Sequence, residues 1–211
     1  MTHIPHNEKV PVVRLFLAIL VFIINIQTWT KADDISEFEI EGVSVGNSAL
    51  SRFSKEEIKN NIKWEYNNDR INNNFVVVEF YNLESAEFYH GIQVVIKPND
   101  KSYKAYAISG SMVYKNNINA CYSKMYEVAD ELTKIFVSAN KQEKMKSINK
   151  SDKSGKSTYS GIYFYFSDGS NASVQCYDFS DAYSKKNGTV DNLRVAIRSS
   201  EYREWYFSSR K

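Results

Sequence analysis

The spacing of apolar residues in the middle of the chain predicts one long helix. Apolar side chains recur there three and four positions apart, which places them on a single face of a helix of about five turns. We therefore predict a helix over about residues 119–136, capped at its start by Asn116 or Asn117 and buried along this stripe against a sheet. The stripe consists of Ile118, Cys121, Tyr122, Met125, Val128, Ala129, Leu132, Ile135 and Phe136.

Shorter segments predict the strands of that sheet, because β-branched and aromatic residues favour extended structure. Turn residues at 97–101 and at Asp168-Gly169-Ser170 predict two hairpins. Ser54 and Glu57 have the spacing of a capping box and predict a helix over about residues 55–62. The predicted strands are 38–43, 75–81, 91–96, 102–108, 162–167, 172–177, 193–198 and 203–207. These elements indicate an α+β fold: an antiparallel sheet covered by one long helix, with a small N-terminal helix.

Residues 141–160 show no apolar periodicity. They are rich in Lys and Ser, and Glu143 and Asp152 are interspersed among the basic residues. A polar segment without a period is typical of a surface loop. We therefore predict a flexible polar loop near 141–160 within a single domain that spans residues 33–211.

The first 32 residues have the layout of a secretory signal peptide. Lys9 and Arg14 precede an apolar run over 15–24, and Thr30-Lys31-Ala32 offers small residues at the −3 and −1 positions of a cleavage site. The run is too short to span a bilayer of about 30 Å as a helix. We therefore expect cleavage of residues 1–32 and a periplasmic or secreted protein. The alternative is an uncleaved N-terminal segment that anchors the protein to the membrane.

Without the leader the chain is electrically balanced. The leader holds three of the 27 basic residues and one of the 25 acidic residues, which leaves 24 of each. This balance argues against a nucleic-acid partner, which requires a basic excess, and we expect no stable membrane insertion after cleavage. Two cysteines, Cys121 and Cys176, remain. In an oxidising compartment we favour a disulfide between them, with two buried thiols as the alternative.

One motif suggests catalysis. Gly42-Val43-Ser44-Val45-Gly46 matches the nucleophile elbow of hydrolases, in which the serine sits on a sharp turn between a strand and a helix. The motif lies too close to the start of the domain for a parallel sheet to precede it, and His90 is the only histidine after the leader. No metal-ligand spacing or complete phosphate-binding loop occurs. We therefore predict no catalytic, cofactor-binding or metal-binding residues, and keep an exported serine hydrolase using Ser44 as an alternative.

The start of the domain carries a family resemblance. The stretch FEIEGVSVGNSAL at 38–50, followed by Phe53-Ser54 and Glu56-Glu57-Ile58, resembles the opening of an uncharacterised family of small exported proteins from AT-rich marine bacteria. The layout is similar as well: a leader, this opening, a Tyr-rich sheet and a helix that bears a cysteine. Family members often carry Asp at the position of Asn47. The resemblance implies export and this order of elements, and it implies no activity.

Tyrosines in the predicted sheet favour a binding function. The long helix covers one face of the sheet, and tyrosine, with an apolar ring and a polar hydroxyl, is suited to contacts on the other. The candidate residues are Tyr103, Tyr163, Tyr165 and Tyr177. Because neighbours on one strand alternate between faces, not all of them can share one face. We therefore predict a non-catalytic exported protein that binds an envelope partner or a small ligand.

Overall fold

Extended segments of the chain pair into an antiparallel sheet. The computed structural model describes residues 35–63, 74–81, 83, 86 and 88–208. The eight described strands of the sheet are β3 (Ile62–Lys63), β4 (Val76–Tyr81), β5 (Gly91–Ile96), β6 (Ala107–Val113), β7 (Asn140–Ile148), β8 (Thr158–Tyr165), β9 (Asn171–Asp178) and β10 (Asn192–Arg198). The remaining elements are a hairpin of β1 (Glu39–Ile40) and β2 (Val43–Ser44), the helices α1 (Lys55–Asn60), α2 (Ile118–Ile135), α3 (Asp181–Asn187) and α4 (Ser200–Ser208), and 3-10 turns at Ile35–Glu37 and Ala49–Ser51.

Two meanders meet in the centre of the sheet, whose strand order is β3-β4-β5-β6-β10-β9-β8-β7. The first meander, β4-β5-β6, leads into α2. The second, β7-β8-β9, starts at the far edge and returns towards the centre, where β10 pairs antiparallel with both β6 and β9. The predicted antiparallel sheet with a long helix is confirmed, and the sheet makes up more of the fold than the sequence predicts.

One face of the sheet, called the helix face below, is buried beneath α2. This helix lies against β8, β9 and β10. Its buried residues are Cys121, Met125, Ala129 and Leu132, which all belong to the predicted apolar stripe. At the start of the helix, the side chain of Asn117 accepts a hydrogen bond from the backbone N–H of Ala120, as expected of an N-cap.

The predicted disulfide is present between α2 and the sheet. Cys121 of α2 is bonded to Cys176 of β9; their Cα atoms are 6.0 Å apart, and the two residues are 55 positions apart in the sequence. At the other end of the helix, the ring of Phe136 packs edge-on against Phe164 and Phe166. The disulfide near the start of α2 and this ring cluster at its end fix the helix on the sheet.

The residues that precede the sheet extend the same core. Ile40, Ile58 and Phe53 are buried in it, and the ring of Phe53 stacks on Phe80 of β4 with centroids 3.8 Å apart. The Ser54 side chain accepts a hydrogen bond from the N–H of Glu57, and the Glu57 carboxylate accepts one from the N–H of Ser54. The predicted capping box and small N-terminal helix are therefore confirmed.

The predicted loop near 141–160 is wrong at both ends, because β7 occupies its first half and β8 begins at Thr158. β7 pairs with β8 at the edge of the sheet, and nearly all of its side chains are exposed. Exposure on both faces removes the alternation of apolar and polar residues that marks a half-buried strand. Lysines and a register shift between Lys144 and Ser147 discourage pairing of this edge with other chains. Residues 149–157 do form a loop.

The C-terminal segment forms α4, whereas the sequence predicts a strand at 203–207. Aromatic residues such as Tyr202, Trp205 and Tyr206 favour strands by propensity. Their spacing of three and four places them on one side of a helix instead, where they pack with Phe75 and Tyr106 against the second face of the sheet. Tertiary packing thus overrides local propensity.

The predicted signal peptide, residues 1–32, lies outside the described residues. The described residues fall within one compact unit of the chain, Lys31–Lys211. Of the described helices, none is long and apolar enough to cross a membrane. Cleavage of the leader therefore stays a prediction.

A buried carboxylate holds the loop between β7 and β8. Asp152 Oδ2 accepts hydrogen bonds from the N–H and hydroxyl of Ser157 and from the hydroxyl of Ser180, the N-cap of α3, at 2.6 to 3.1 Å. The N–H of Ser154 donates to Oδ1. Because these hydrogen bonds favour the ionised form, with those of Ser157 foremost, they hold the pKa of Asp152 well below its ordinary value. The carboxylate therefore ties this loop to α3.

Removal of the disulfide should lower the free energy of unfolding. A bridge that closes a loop of this length stabilises a protein by about 2–4 kcal/mol, so we expect the double variant Cys121→Ala, Cys176→Ala to lose that amount in urea denaturation. The control Ile148→Ala, at an exposed position of β7, should change the free energy of unfolding by less than about 0.5 kcal/mol. An unchanged free energy of unfolding in the double variant would contradict a stabilising bridge.

The stabilising effect of Asp152 should depend on pH. Since its pKa is lowered in the folded state, its contribution is present above the unfolded value of about 3.9 and is lost as pH falls through the folded value. Asp152→Asn should therefore lower the free energy of unfolding at neutral pH. The difference in free energy of unfolding between this variant and wild type should become smaller below about pH 4. Urea denaturation between neutral and acidic pH measures this.

The control for this pH series is Asp168→Asn. Asp168 accepts two hydrogen bonds from Ser170 within one exposed turn. This variant therefore shows the effect of removing a carboxylate that does not connect two separate segments of the fold. If the difference in free energy of unfolding between wild type and Asp152→Asn stays constant with pH, the ionised form of Asp152 is not the source of its stabilising effect.

Candidate functional site

The second face of the sheet, called the open face below, carries polar and aromatic side chains. Cross-strand partners share a face, so the register sorts these residues into rows. The first row is Tyr165, Asn171, Arg198, Ala107, Val95 and Val77; the second is Tyr163, Ser173, Ala196, Ser109, Gln93 and Glu79; the third is Lys144, Gly161, Gln175, Arg194, Ser111, Gly91 and Tyr81; and the fourth is Tyr159, Tyr177 and Asn192. Helix α4 packs on apolar residues of the first row, which leaves the other rows to the polar groups.

Four tyrosines of β8 and β9 form a cluster on the open face, called the tyrosine platform below: Tyr159, Tyr163, Tyr165 and Tyr177. The rings of Tyr163 and Tyr165 are nearly parallel with centroids 6.2 Å apart, and those of Tyr159 and Tyr177 are stacked at 6.0 Å. All four side chains are half-buried. Tyr163 and Tyr165 are neighbours because they lie two residues apart on β8. Tyr159 and Tyr177 are neighbours because they are cross-strand partners on β8 and β9.

Cations lie over the rings of this platform. Lys144 Nζ is 5.6 Å from the ring centroid of Tyr163, and the guanidinium carbon of Arg194 is 5.4 Å from that of Tyr177. Arg203 of α4 lies 5.0 Å above Tyr165. These distances are within the range of cation–π attraction. In the described part of the chain, no carboxylate forms an ion pair with Lys144, Arg194 or Arg203.

A hydrogen-bonded floor of short polar side chains lies beside the platform. The side-chain amide of Gln175 donates to the Tyr163 hydroxyl at 2.9 Å, and the Arg198 guanidinium donates to the hydroxyl of Ser173 at 3.1 Å. Ser173 is fully buried and Gln175 is 6% exposed. Burial is the main factor that raises the pKa of the Tyr163 hydroxyl well above its ordinary value. This hydroxyl is therefore a neutral hydrogen-bonding group and not a base.

Within these rows, a carboxylate occurs only at Glu79. It lies on the same face as the platform but on β4, towards the other edge of the sheet. It accepts hydrogen bonds from the side-chain amide of Gln93 at 2.6 Å and from the hydroxyl of Tyr81 at 3.1 Å. The open face is therefore divided into a cationic aromatic half on β7–β10 and a half with one hydrogen-bonded carboxylate on β4.

A glycine allows the ring of Tyr163 to lie close to the sheet. A Cβ atom at Gly161 would come within 2.9 Å of Gln175 Cγ and 3.1 Å of two atoms of the Tyr163 side chain. These separations are shorter than ordinary van der Waals contact. The absence of a side chain at Gly161 therefore leaves the space that the Tyr163 ring occupies next to β8.

The predicted tyrosines do not all share a site. Tyr163, Tyr165 and Tyr177 lie together on the open face, but Tyr103 packs against the core of the helix face. Tyr103 adopts a left-handed backbone with φ of 53°, and β6 starts at Ala107 and not at residue 102. Tyr103 therefore takes no part in the platform.

The platform contains residues that sequence reasoning missed. Tyr159 and Lys144 lie within residues 141–160, which the sequence predicts to be a loop. Arg194 lies in a predicted strand, but the sequence does not indicate which side chains it contacts. Their recruitment depends on the register of β7 with β8 and of β9 with β10, for which the sequence contains no local signal.

Ser44 does not have the geometry of a nucleophile elbow. It lies in β2, paired opposite Glu39 in a hairpin, and not on a sharp turn between a strand and a helix. The left-handed residues nearby are Glu41, Gly42 and Gly46. Among the described residues, no group of three or more His, Cys, Asp or Glu side chains is arranged to hold a metal ion.

A cavity of about 580 Å³ lies beside α4 and away from the platform. Phe75, Lys97, Glu201 and Trp205 contribute to its walls. Lys97 Nζ donates to Glu201 Oε1 at 2.6 Å and also lies over the ring of Tyr106. The cation of this cavity is therefore already paired, in contrast to those of the platform.

Comparison with protein-family models, with curated proteins and with solved structures gives no match for this chain. Function is therefore inferred from the side chains of the open face themselves.

A methyl group at position 161 should displace the ring of Tyr163. We expect Gly161→Ala to raise the rate at which tetranitromethane nitrates Tyr163 several-fold, because the displaced ring is less buried and the pKa of its hydroxyl falls towards the ordinary value. Peptide mass spectrometry after limited reaction gives the rate for each tyrosine. Tyr126 of α2, whose hydroxyl donates to Glu143 on the helix face of the sheet, is the internal reference and should react equally in both proteins. Equal nitration of Tyr163 with and without the methyl group would show that Gly161 does not set its position.

Proposed function

We propose that this protein is an exported, non-catalytic binding protein that uses the tyrosine platform of the open face to contact an envelope partner or a small ligand. The observation that carries the proposal is the cluster of half-buried tyrosines and cations without carboxylate partners among the described residues. Tyrosine and arginine are enriched where proteins bind other molecules. Rings and cations left partly exposed in this way favour contact with a second molecule over internal stabilisation.

Export is supported by two independent features. The leader has the layout of a signal peptide. The Cys121–Cys176 disulfide fits a protein outside the reducing cytoplasm, where such bonds persist. The family resemblance at 38–58 agrees with this location.

A binding role should be visible as co-sedimentation with envelopes of the cells that produce the protein. Tyr177→Ser removes a ring that stacks on Tyr159 and Phe179 and lies beneath Arg194. We expect about tenfold weaker binding, because aromatic anchors contribute a large share of contact energy. The bound fraction is measured against the amount of envelope.

The matched control is Tyr126→Ser, which removes an exposed tyrosine of α2 that bonds to Glu143 on the helix face and not on the open face, and it should bind as wild type does. Equal losses for Tyr177→Ser and Tyr126→Ser, or no sedimentation of the wild-type protein, would refute the proposal. The protein for this assay is recovered from the exported fraction. An intact mass that retains residues 1–32 would contradict cleavage after Ala32.

A further inference from the structure

We propose that the ligand of the open face is an acidic glycan, a polysaccharide chain that bears carboxylate or sulfate groups. This inference rests on the proposed binding function and specifies its ligand. The glycan would be held by Arg194, Lys144 and Arg198 and by the hydroxyls of the tyrosine platform.

The arrangement of cations indicates an anionic ligand. Arg194 and Arg198 are four residues apart on β10, about 13 Å, and Lys144 is three strands away, about 14 Å. Among the described residues none of these three forms an ion pair. On the outer side of α2, by contrast, Lys124 and Lys134 are paired with carboxylates at 2.6 and 3.0 Å. The platform is thus a local excess of positive charge on a chain that is balanced outside its leader.

The shape of the open face favours a chain over a small molecule. Small ligands are usually enclosed in pockets, and the cavity beside α4 lies away from these cations. The tyrosine platform and the cations Lys144, Arg194 and Arg198 are instead spread over four neighbouring strands, β7 to β10. Cationic residues whose backbone positions lie more than about 10 Å apart on such a surface match a polymer with repeated anionic groups.

The stacking of the tyrosines favours a glycan over a single-stranded nucleic acid. Proteins that bind unpaired bases offer free aromatic faces on which the bases stack. Here Tyr163 is covered by Lys144 and faces Tyr165, while Tyr177 faces Tyr159 and lies beneath Arg194. Because cations and neighbouring rings lie against these ring faces, the site suits a ligand rich in hydroxyl and acidic groups better than unpaired bases.

The floor of the open face favours a glycan over an acidic protein. Protein interfaces have an apolar centre that is buried on binding. The centre of this face includes Ser109, Ser173, Gln93 and Gln175, which are polar and, apart from Gln93, buried, so it presents little apolar area. A polyhydroxylated ligand matches that chemistry.

Affinity measurements with defined polymers test the inference. The mature, disulfide-bonded protein is titrated with polygalacturonate, dextran sulfate, neutral dextran, oligothymidylate and polyglutamate. We expect binding to polygalacturonate or dextran sulfate that weakens with added salt, and no binding to neutral dextran. Preference between the two acidic polysaccharides identifies carboxylate or sulfate as the anionic group.

The test variant is Arg194→Gln with Lys144→Gln, and the matched control is Lys124→Gln with Lys134→Gln on α2. We expect the first pair to weaken binding of the acidic polysaccharide by about tenfold or more, since it removes charged hydrogen-bond donors, and the second pair to leave it unchanged. Arg194→Lys, which keeps the charge, should lose less than Arg194→Gln. Thermal unfolding of each variant verifies that it is folded.

Several outcomes would overturn the inference: no binding to either acidic polysaccharide, equal losses in the test and control pairs, or tighter binding of oligothymidylate or polyglutamate. Competition separates these failures from failure of the proposed function. If Tyr177→Ser abolishes envelope binding but neither acidic polysaccharide competes with envelopes, the binding function stands and the glycan is wrong. If the wild-type protein binds neither envelopes nor polymers, both are wrong.

Discussion

Burial of the helix face beneath α2 is the constraint from which the rest of the fold follows. The sheet needs a cover on one face, and full burial of a side chain such as Met125 or Leu132 contributes about 1.5–3 kcal/mol. Because α2 follows β6 near the centre and lies across β8, β9 and β10, the chain emerges at the far edge. β7 therefore forms at that edge, and the following strands return to the centre. The Cys121–Cys176 bond links the covering helix to β9 within this contact.

The chemistry of the open face is a consequence of the same arrangement. Alternation along each strand sends apolar residues such as Val174 and Val195 to the helix face and leaves their neighbours Gln175 and Arg194 on the other. Helix α4 covers the first row alone with aromatic residues. Polar side chains in the uncovered rows bond to one another at several places, as Gln175 does with Tyr163.

Local periodicity determined what the sequence could predict. The α2 stripe and the Ser54–Glu57 capping box are readable within a few turns of chain, and both are confirmed. β7 was missed because exposure on both faces leaves no alternation, and α4 because Tyr202 and Trp205 favour strands until tertiary packing decides. Tyr163 and Tyr165, two apart on a strand, were predictable neighbours. Their contact with Lys144 and Arg194 depends on long-range register, which local patterns do not encode.

The cations of the platform differ from those of α2 in what holds them. A carboxylate partner, as for Lys124, neutralises the charge it orders. An aromatic ring beneath Arg194 or Lys144 restrains the side chain by cation–π attraction but leaves the positive charge in place. Restrained side chains lose less conformational entropy on binding, so the rings lower the cost of contact with an anion while the charge stays available to it. That combination is the physical reason to regard the open face as a binding surface.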